Sequence, residues 1–352
     1  MVLGVAGSSP VSHPLQWKSV LQHYDVPRPV ELTPVGGTAA PNLRVDSPGG
    51  RFILRRRPKA MADPEFVLYD HALRTYLADC GFPAPKPVPT KNGATWVQVD
   101  GEIFELSPLL PGTMAPAPNP AMLFDTGKQL ATFHRLGEGF HHPGKERFVR
   151  EDHPSVLLPL VEELSELADD DRSREDFSRV RKELDELCGL WTGPPDRTVL
   201  HGDFHPGNVL YDAGRISAVL DYDYAAPGPT ARDLGDALMF FAARRKSPFN
   251  PDDIRSLTQG WQIDDERAKS LLKGYASVRP LPENLETLRD LMRSRWLQVK
   301  LRGARKVPRE QKIGFVLSDL WPTADWLKRD FIPWFRHITA QTTEWDNARR
   351  SC

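Results

Sequence analysis

The chain has 352 residues, of which 40% are hydrophobic, so it is long enough to bury the cores of more than one lobe without disulfide or metal support. Its 46 basic and 47 acidic residues give a formal net charge of -1, which argues against nucleic acid or an anionic membrane as a partner. Three widely spaced cysteines without a CxxC pair, no basic leader and no run of about 18 apolar residues predict free thiols in a cytoplasmic protein.

The first hundred residues consist of short β-rich runs separated by turns. VELTPV, NLRVD and RFILRRR predict a small antiparallel meander. The run DPEFVLYDHALRTYLADCG has apolar residues at helical spacing, with Asp63 placed to cap a helix and Gly81 to end it. TWVQVD and EIFELS then meet across Asp100 and Gly101, which favours a β-hairpin. This part of the chain is therefore predicted to be a small sheet with one helix.

A proline-rich stretch, LLPGTMAPAPNPAM, follows and is incompatible with a helix or a central strand. We place the boundary between two lobes here, with residues 1–111 before it and 112–352 after it. The second part has mainly helical periodicity, except for two β-rich runs between residues 197 and 223. The predicted fold class is therefore α+β, with a small antiparallel-sheet lobe followed by a larger, mainly helical lobe.

The segment HGDFHPGNVL carries the most specific chemical signal. Asp203 and Asn208 lie five positions apart in it, and Asp221 follows a hydrophobic run thirteen positions later. Phosphoryl transfer needs a carboxylate beside the acceptor hydroxyl and hard oxygen ligands for magnesium. The two β-rich runs joined at Asp212 to Gly214 form a predicted hairpin, which brings Asn208 and Asp221 to the same end. The pattern therefore favours a phosphotransferase with two metal ligands beside its base.

HGDFHPGNVL, LDYD and RDLGD together closely resemble the signature of the aminoglycoside phosphotransferase and choline kinase-like superfamily, which includes a homoserine kinase branch. The resemblance implies a bilobal protein-kinase-like fold. It also implies that Asp203 is the catalytic base and that Asn208 and Asp221 are magnesium ligands. In the same family pattern, His201 supports the loop and Asp233 supports the fold.

Weaker similarities lie in the first lobe. VGGTAAPN resembles the loop that covers the nucleotide phosphates in this superfamily, and the residues implied are Gly36, Gly37 and Asn42. In RFILRRR, strand alternation places Ile53 and Arg55 on one face, so we expect Ile53 to touch the base and Arg55 to point toward the phosphates. Arg55 then stands where protein kinases carry lysine.

Two further elements complete the nucleotide lobe. Asp70 stands where a glutamate partner for Arg55 is expected, and its shorter side chain leaves that ion pair in question. ELSPLLPG resembles the hinge whose backbone reads adenine, which assigns Glu105 and Leu106 to the nucleotide site and residues 105–111 to the hinge.

Several of these residues also have simpler interpretations. Asp203, Asn208 and Asp221 are compatible with an Asx-rich turn that satisfies its own backbone, but the agreement of all three positions with the hairpin favours a site. His205 either reaches substrate or nucleotide or is a loop residue, and Asp223 either assists metal or substrate or is a solvated turn carboxylate.

Two patterns of the first lobe are equally open to structural explanations. The glycine pair Gly36 and Gly37 is also typical of an ordinary hairpin turn. Arg55, Arg56 and Arg57 are together typical of an exposed basic edge strand, and only Arg55 is assigned a function.

The sequence therefore predicts an ATP- and Mg²⁺-dependent kinase that phosphorylates a hydroxyl group of an amino alcohol, amino acid, amino sugar or antibiotic. ATP is the expected donor, with GTP left open, and the expected partner is this small molecule; the oligomeric state is left open. The departures at Arg55 and Asp70 also fit a pseudokinase that binds a nucleotide or partner without turnover. A helical interaction module with an accidental HGD segment is a third reading.

Overall fold

The computed structural model describes residues 14–35, 42–115, 117–143, 153–190, 198–250 and 253–350. The chain divides into two compact units. Unit 1 comprises Met1–Pro111 with His142–Gly144, and unit 2 comprises Gly112–His141 with Lys145–Cys352. No described helix is long and apolar enough to pass through a lipid bilayer.

Unit 1 is a twisted sheet with helices. Its described elements are α1 (Pro14–Leu21), β1 (Glu31–Val35), β2 (Asn42–Ser47), β3 (Gly50–Arg56), α2 (Pro64–Asp79), β4 (Trp96–Val99) and β5 (Glu102–Pro108). In the described part of this unit, the five strands pair antiparallel in the order β1-β2-β3-β5-β4. The predicted meander is therefore confirmed, and α1 is an element that the sequence reading did not predict.

Local sequence signals account for two elements of unit 1. Asp63 caps α2, because its Oδ1 accepts hydrogen bonds from the backbone N–H groups of Glu65 (2.8 Å) and Phe66 (3.2 Å). Asp100 and Gly101 have φ angles of 52° and 77°, the left-handed pair that a tight hairpin between β4 and β5 requires.

The core of unit 1 forms where α1 packs on the sheet. The indole of Trp17 meets the ring of Phe104 edge-on, with centroids 5.2 Å apart. The cluster of buried apolar side chains comprises Trp17, Val20, Leu21, Tyr24, Val26, Leu43, Val45, Leu54, Phe104 and Leu106. Burial of these side chains removes apolar surface from water, and this is the main source of stability for the sheet.

Unit 2 is mainly helical. Its helices are α3 (Pro120–Gly139), α4 (Leu158–Ser165), α5 (Asp171–Leu190), α6 (Thr230–Ala237), α7 (Arg255–Thr258), α8 (Asp265–Ala276), α9 (Leu285–Gly303), α10 (Lys312–Leu317), α11 (Leu320–Arg329) and α12 (Phe331–Arg350). Short strands interrupt them: β6 (Thr198–Leu200), β7 (Val209–Asp212), β8 (Arg215–Val219), β9 (Ala226–Gly228), β10 (Ala243–Arg245) and β11 (Trp261–Ile263). A π-helical turn, Leu238–Ala242, continues α6.

Helices α3 and α8 approach each other unusually closely. A Cβ atom on Gly127 would lie 1.9 Å from the carbonyl oxygen of Leu271, and one on Gly274 would lie 1.8 Å from that of Phe124. Only glycine permits such an approach of two backbones. Because α3 also contacts β6 and β8, its close packing with α8 holds in place the helix against which these short strands pack.

Candidate active site

The loop after β6 is anchored from below by Asp233 of α6. Its carboxylate accepts hydrogen bonds from the backbone N–H groups of His201 (2.7 Å, to Oδ2) and Gly202 (2.9 Å, to Oδ1). His134 of α3 adds a contact of 3.2 Å between its Nε2 and Oδ2. Burial opposes ionisation here, yet the hydrogen bond from His134 and nearby positive charge lower the pKa of Asp233 to about 2. Asp233 is therefore a buried carboxylate that holds the loop backbone.

His201 connects the same loop to the end of β8. Its Nε2–H donates to the carbonyl oxygen of Leu220 (2.9 Å), and its Nδ1 accepts from the backbone N–H of Asp203 (3.3 Å). The ring is fully buried, and burial lowers the pKa of His201. A neutral imidazole with its proton on Nε2 satisfies both contacts.

Asp203 presents its carboxylate between a guanidinium and an imidazole. Oδ1 accepts from Nη2 of Arg295 (2.9 Å), and Oδ2 lies 3.4 Å from Nε2 of His205. Burial alone would raise the pKa of Asp203, but His205, Arg295 and His201 outweigh it and hold this pKa well below its usual range. Asp203 is therefore an ionised carboxylate in a fixed orientation.

His205 is oriented by the loop that follows it. The backbone N–H of Gly207 donates to Nδ1 (3.0 Å), and Nε2 faces Oδ2 of Asp203 at 3.4 Å. The ring packs against Phe240 and Phe249, with centroids 6.0 and 6.1 Å apart. His205 is therefore a neighbour of the candidate base and also helps to shape the loop. A contact with substrate or nucleotide stays a prediction.

The β7–β8 hairpin brings the two candidate metal ligands to one end, as predicted. Val209 pairs with Val219, and the backbone N–H of Leu220 donates to the carbonyl oxygen of Asn208 (2.8 Å). Asp221 therefore lies one residue past the partner of Asn208, with a left-handed φ of 61°. Such a conformation is uncommon outside glycine and is tolerated best by Asn and Asp.

The donor set at this end fits a hard cation. The side-chain amide nitrogen of Asn208 donates to the carbonyl oxygen of Asp203 (2.9 Å), which leaves the amide oxygen as the atom suited to a cation. Asp221 supplies a carboxylate, and Asp223, which is buried, donates its backbone N–H to Oδ1 of Asp221 at 3.5 Å. Amide and carboxylate oxygens are the ligands that Mg²⁺ prefers.

Arg295 of α9 is a site residue that the sequence reading missed. Its Nε donates to Oδ1 of Asp236 (3.0 Å), its Nη1 to Oε1 of Gln298 (2.7 Å) and its Nη2 to Oδ1 of Asp203 (2.9 Å). Asp236 is fully buried and also pairs with Arg232. The guanidinium thus links the candidate base to α6, and no short motif around residue 295 signals this, because the contact spans 92 residues.

In unit 1, the ion pair considered between Arg55 and Asp70 is made by a different arginine. Asp70 pairs with Nη2 of the fully buried Arg57, and Oδ1 accepts from Nε of Arg74 (3.1 Å). Arg57 shares its face of the strand with Arg55 but lies nearer to the start of α2. Asp70, although shorter than glutamate, is therefore within reach of a guanidinium.

Glu105 lies in a strand and not in a hinge. It lies in β5, where it pairs with Arg55 of β3. Its Oε2 accepts hydrogen bonds from Nε of Arg57 (2.8 Å) and Nη2 of Arg74 (3.1 Å). Burial would raise the pKa of Glu105, but Arg57 and Arg74 lower it well below its usual range. Residues 105–108 of the predicted hinge belong to β5, and the backbone N–H of Leu109 still donates to the carbonyl oxygen of Arg51 (2.9 Å). The hinge itself stays a prediction.

His71 completes this buried cluster as a neutral ring. Its Nε2 lies 2.6 Å from Oε2 of Glu105, and its Nδ1 lies 2.7 Å from Oγ1 of Thr95. Burial lowers the pKa of His71 to about 4, although Glu105 opposes the shift. Donor atoms of Asp70, His71 and Glu105 lie close enough together for a metal, but guanidinium groups already neutralise both carboxylates, so the cluster is a salt-bridge network.

The other residues of unit 1 that are predicted to bind the nucleotide lie in different surroundings. Asn42, Arg55 and Glu105 are direct cross-strand neighbours in one row of the sheet, and Ile53 lies two residues along on the same face. Arg55 keeps part of its side chain exposed and lies 3.7 Å from Oε1 of Glu105. Leu106 is fully buried in the core, so its side chain is structural. Gly36 and Gly37 lie outside the described residues.

The sequence and the fold have known relatives. The family model described as "Phosphotransferase enzyme family" (APH) matches residues 31–281, which is more than half of the chain. The chain belongs to this family. The phosphotransferase is 28% identical over 269 residues to homoserine kinase of Caulobacter vibrioides, covering 75% of this chain and 78% of the relative. It is 27% identical over 252 residues to homoserine kinase of Gluconobacter oxydans, covering 70% and 72%.

Solved structures show the same fold at low sequence identity. An amicoumacin kinase, crystallised with AMP-PNP, Ca²⁺ and amicoumacin, matches with a TM-score of 0.63 at 16% identity, covering 88% of this chain and 96% of that one. A microcompartment-associated aminopropanol kinase matches with a TM-score of 0.61 at 17% identity, covering 89% and 97%. These structures confirm the predicted α+β kinase-like fold. The family match and the curated relatives confirm the prediction of a small-molecule kinase with a hydroxyl acceptor.

Proposed function

We propose that this phosphotransferase moves the γ-phosphate of ATP, bound with Mg²⁺, onto the hydroxyl group of a small amino acid or amino alcohol, with L-homoserine as the first acceptor to test. The observation that supports it best is the ionised Asp203 beside a hairpin end that carries Asn208 and Asp221. The homoserine kinases among its relatives support the acceptor.

Asp203 acts on the acceptor. Its carboxylate accepts a hydrogen bond from the acceptor hydroxyl and aims that oxygen at the γ-phosphorus. The new O–P bond forms as the bond from the γ-phosphorus to the bridging oxygen of ATP breaks, and ADP leaves. In the loose transition state of phosphoryl transfer the hydroxyl gives up its proton late, to the Asp203 carboxylate, which later releases it to solvent, so a weakly basic but ionised carboxylate suffices.

Asn208 and Asp221 would hold the divalent ion. Arg55, the cross-strand neighbour of Asn42, would contact a phosphate group of the nucleotide. The metal, when bound, neutralises negative charge on the phosphates. Asp233 and His201 hold the loop in place through the contacts described above, and Arg295 fixes the orientation of the Asp203 carboxylate.

The test is ADP release from purified protein over a panel of hydroxyl compounds, with ATP and GTP compared and Mg²⁺ titrated. We expect turnover with at least one amino acid or amino alcohol. Asp203→Asn should lower kcat on that acceptor by about 10²–10⁴-fold, because the carboxylate that orients the hydroxyl is gone.

Asp212→Asn is the matched control, because Asp212 is an exposed carboxylate in the same hairpin. It should leave kcat unchanged. Full transfer by Asp203→Asn would refute the assignment of the base. Absence of turnover with every acceptor, in protein that still binds the nucleotide, would refute the proposed activity.

A further inference from the structure

Two guanidinium groups of unit 2 lie against the same aromatic ring. The Cζ atom of Arg295 is 5.9 Å from the centroid of the Phe240 ring, and that of Arg245 is 5.5 Å from it. The two groups are therefore no further apart than the sum of these distances. The ring of His205, which faces the Asp203 carboxylate, also packs on Phe240 with centroids 6.0 Å apart. One aromatic ring, Phe240, thus separates Arg245 from Arg295 and His205, two residues that contact the Asp203 carboxylate.

The two arginines differ in how they are neutralised. Arg295 directs three nitrogens at side-chain oxygens, two of which belong to Asp203 and Asp236. Within the described part of the chain, the guanidinium of Arg245 donates hydrogen bonds only to backbone carbonyls: Nη2 to Met239 (2.6 Å) and Nη1 to Phe240 (3.4 Å). Among the described residues, its Nε is buried without a hydrogen-bond partner, and no carboxylate forms an ion pair with it.

Besides Arg245, Arg267 also places positive charge at the π-helical turn Leu238–Ala242. Nη2 of Arg267 donates to the carbonyl oxygen of Phe241 (2.7 Å), and its buried Nε is likewise without a hydrogen-bond partner among the described residues. The nearby carboxylate of Asp264 is in an ion pair with Arg244 (2.5 Å). Burial and the charge of Arg267 lower the pKa of Arg245 to about 9. The π-helical turn therefore carries an excess of positive charge in partly desolvated surroundings, where an unpaired guanidinium is costly.

We propose that Arg245 binds a carboxylate of the acceptor, so that the enzyme selects hydroxy amino acids over amino alcohols. The inference rests on the proposed function, because it assumes that the acceptor hydroxyl meets Asp203. In L-homoserine a short aliphatic chain separates the hydroxyl from the carboxylate, so the hydroxyl end can lie at Asp203 while the carboxylate end reaches across Phe240. A planar guanidinium whose charge is not paired with a described carboxylate is the side chain best matched to the carboxylate of a ligand.

A purely structural role for Arg245 is the competing explanation. Its contacts with Met239 and Phe240 place a positive charge at the carbonyl end of a helical segment, where cations are favourable. Such a role predicts a loss of stability on substitution, with equal effects on all ligands. Ligand selection instead predicts an effect confined to compounds that carry a carboxylate.

The experiment compares binding of L-homoserine with binding of 3-amino-1-propanol, which is homoserine without its carboxylate, by isothermal titration calorimetry. The wild-type protein should bind L-homoserine more tightly. Arg245→Gln should weaken L-homoserine binding by about 30-fold or more, the usual scale for removing one partner of a desolvated charge pair. Binding of 3-amino-1-propanol should change by less than about threefold.

Two further variants control for folding and for general charge. Arg245→Lys keeps the charge but loses the planar pair of N–H donors of the guanidinium. We therefore expect an intermediate loss of affinity, for L-homoserine only. Arg244→Gln removes the adjacent arginine, whose side chain is exposed and paired with Asp264, and should leave both affinities unchanged. Thermal unfolding of each variant reports the structural contribution separately.

The inference is overturned if the wild type does not prefer hydroxy amino acids, tested with L-serine and L-threonine alongside L-homoserine, or if the preference persists in Arg245→Gln. Parallel weakening of both ligands also overturns it. Binding with the expected selectivity but without phosphate transfer to any acceptor would instead refute the proposed function and leave the role of Arg245 standing. The two failures are therefore distinguishable.

Discussion

Asp203 owes its state to residues at very different distances in the sequence. His205 is two positions away, whereas Arg295 is 92 positions away on α9. Both lower the pKa of Asp203 against the opposing effect of burial. The nearby histidine is part of the motif that identified the loop, but only the fold supplies the arginine.

Replacing Arg295 with Gln should move the acid limb of the activity profile. Removal of the guanidinium takes away a charge that lowers the pKa of Asp203, so this pKa rises and the carboxylate protonates at a higher pH. The acid limb of kcat/KM should shift to higher pH than in the wild type, and kcat should fall by about tenfold or more, because the carboxylate loses its orientation. A profile of kcat/KM, extended down to the lowest pH at which each protein stays folded, locates the acid limb, and kcat at pH 7 measures the loss of orientation.

Arg295→Lys serves as the control, since it keeps the charge at this position. Its acid limb should stay near that of the wild type, while kcat falls because an ammonium cannot link Asp203, Asp236 and Gln298 together. An unchanged acid limb in Arg295→Gln, with folded protein verified by circular dichroism, would show that the arginine does not control Asp203.

At the residue scale, whether a contact could be predicted depends on how far apart its two residues lie in the sequence. Asn208 and Asp221 could be predicted to lie together because a predicted hairpin connects them, and Asp203 precedes Asn208 by five positions in the same loop. Asp70 was also singled out, but its partner was not, because strand alternation places Arg55 and Arg57 on the same face and cannot tell which one lies nearer to α2. Proximity to the loop before α2 decides for Arg57.

At the scale of elements, turn chemistry accounts for the best predictions. The hairpins at Asp100 and at Asp212 to Gly214 both end in left-handed turns, with φ angles of 47° at Ala213 and 78° at Gly214 in the second. The end of β5 is harder to predict, because Pro108 and Pro111 suggest an earlier end, whereas the pairing of β5 with β3 persists to Pro108.

The close packing of α3 and α8 leads to a prediction that separates two kinds of glycine. Gly274→Ala should lower the free energy of unfolding by about 2–4 kcal/mol, because the new Cβ would overlap the carbonyl oxygen of Phe124 and force the helices apart. Turnover should fall as well. The reason is that Tyr275 follows directly and its hydroxyl lies 2.9 Å from Nδ1 of His134, the histidine that contacts Asp233.

Gly189→Ala is the matched control for this substitution. Gly189 lies in α5, is exposed, and has open space where a Cβ would be added. Alanine is the better helix former, so this variant should be more stable by about 0.5–1 kcal/mol with unchanged activity. Chemical denaturation of both variants makes the comparison, and similar stability changes in the two would contradict the packing argument.

At the scale of the whole molecule, the family match explains which parts of the site were accessible to sequence reasoning. The match covers residues 31–281 and includes the loop of Asp203, both candidate metal ligands and Arg245. Arg295 lies beyond it, on a helix whose interleaved charges are typical of a solvated surface. The general architecture could be predicted from local patterns and a resemblance, whereas the residue that completes the Asp203 environment required the packing of α9 against α6.

The electrostatics of the whole chain predict that the protein loses stability in acid. Glu105 in unit 1 and both Asp203 and Asp233 in unit 2 have pKa values below their usual range. Each carboxylate therefore contributes stability above its unfolded pKa of about 4, and this contribution is lost as the pH falls through the folded pKa. The buried His201, whose pKa is lowered, acts in the same direction, because the unfolded chain binds its proton more readily. The free energy of unfolding should decrease steadily below about pH 5.

Asp233→Asn tests this account at a single group. For a pKa lowered to about 2, linkage gives a contribution of about 2–3 kcal/mol at pH 7. The variant should lose at least that much there, since an amide cannot accept from His201, Gly202 and His134 as the carboxylate does. The difference from the wild type should shrink as the pH approaches 2, where the wild-type carboxyl protonates as well. Urea unfolding of both proteins between pH 7 and pH 3, with the exposed Asp212→Asn as the control, measures the trend. A difference that stays constant with pH would mean that the hydrogen-bond geometry of Asp233, and not its charge, stabilises the loop.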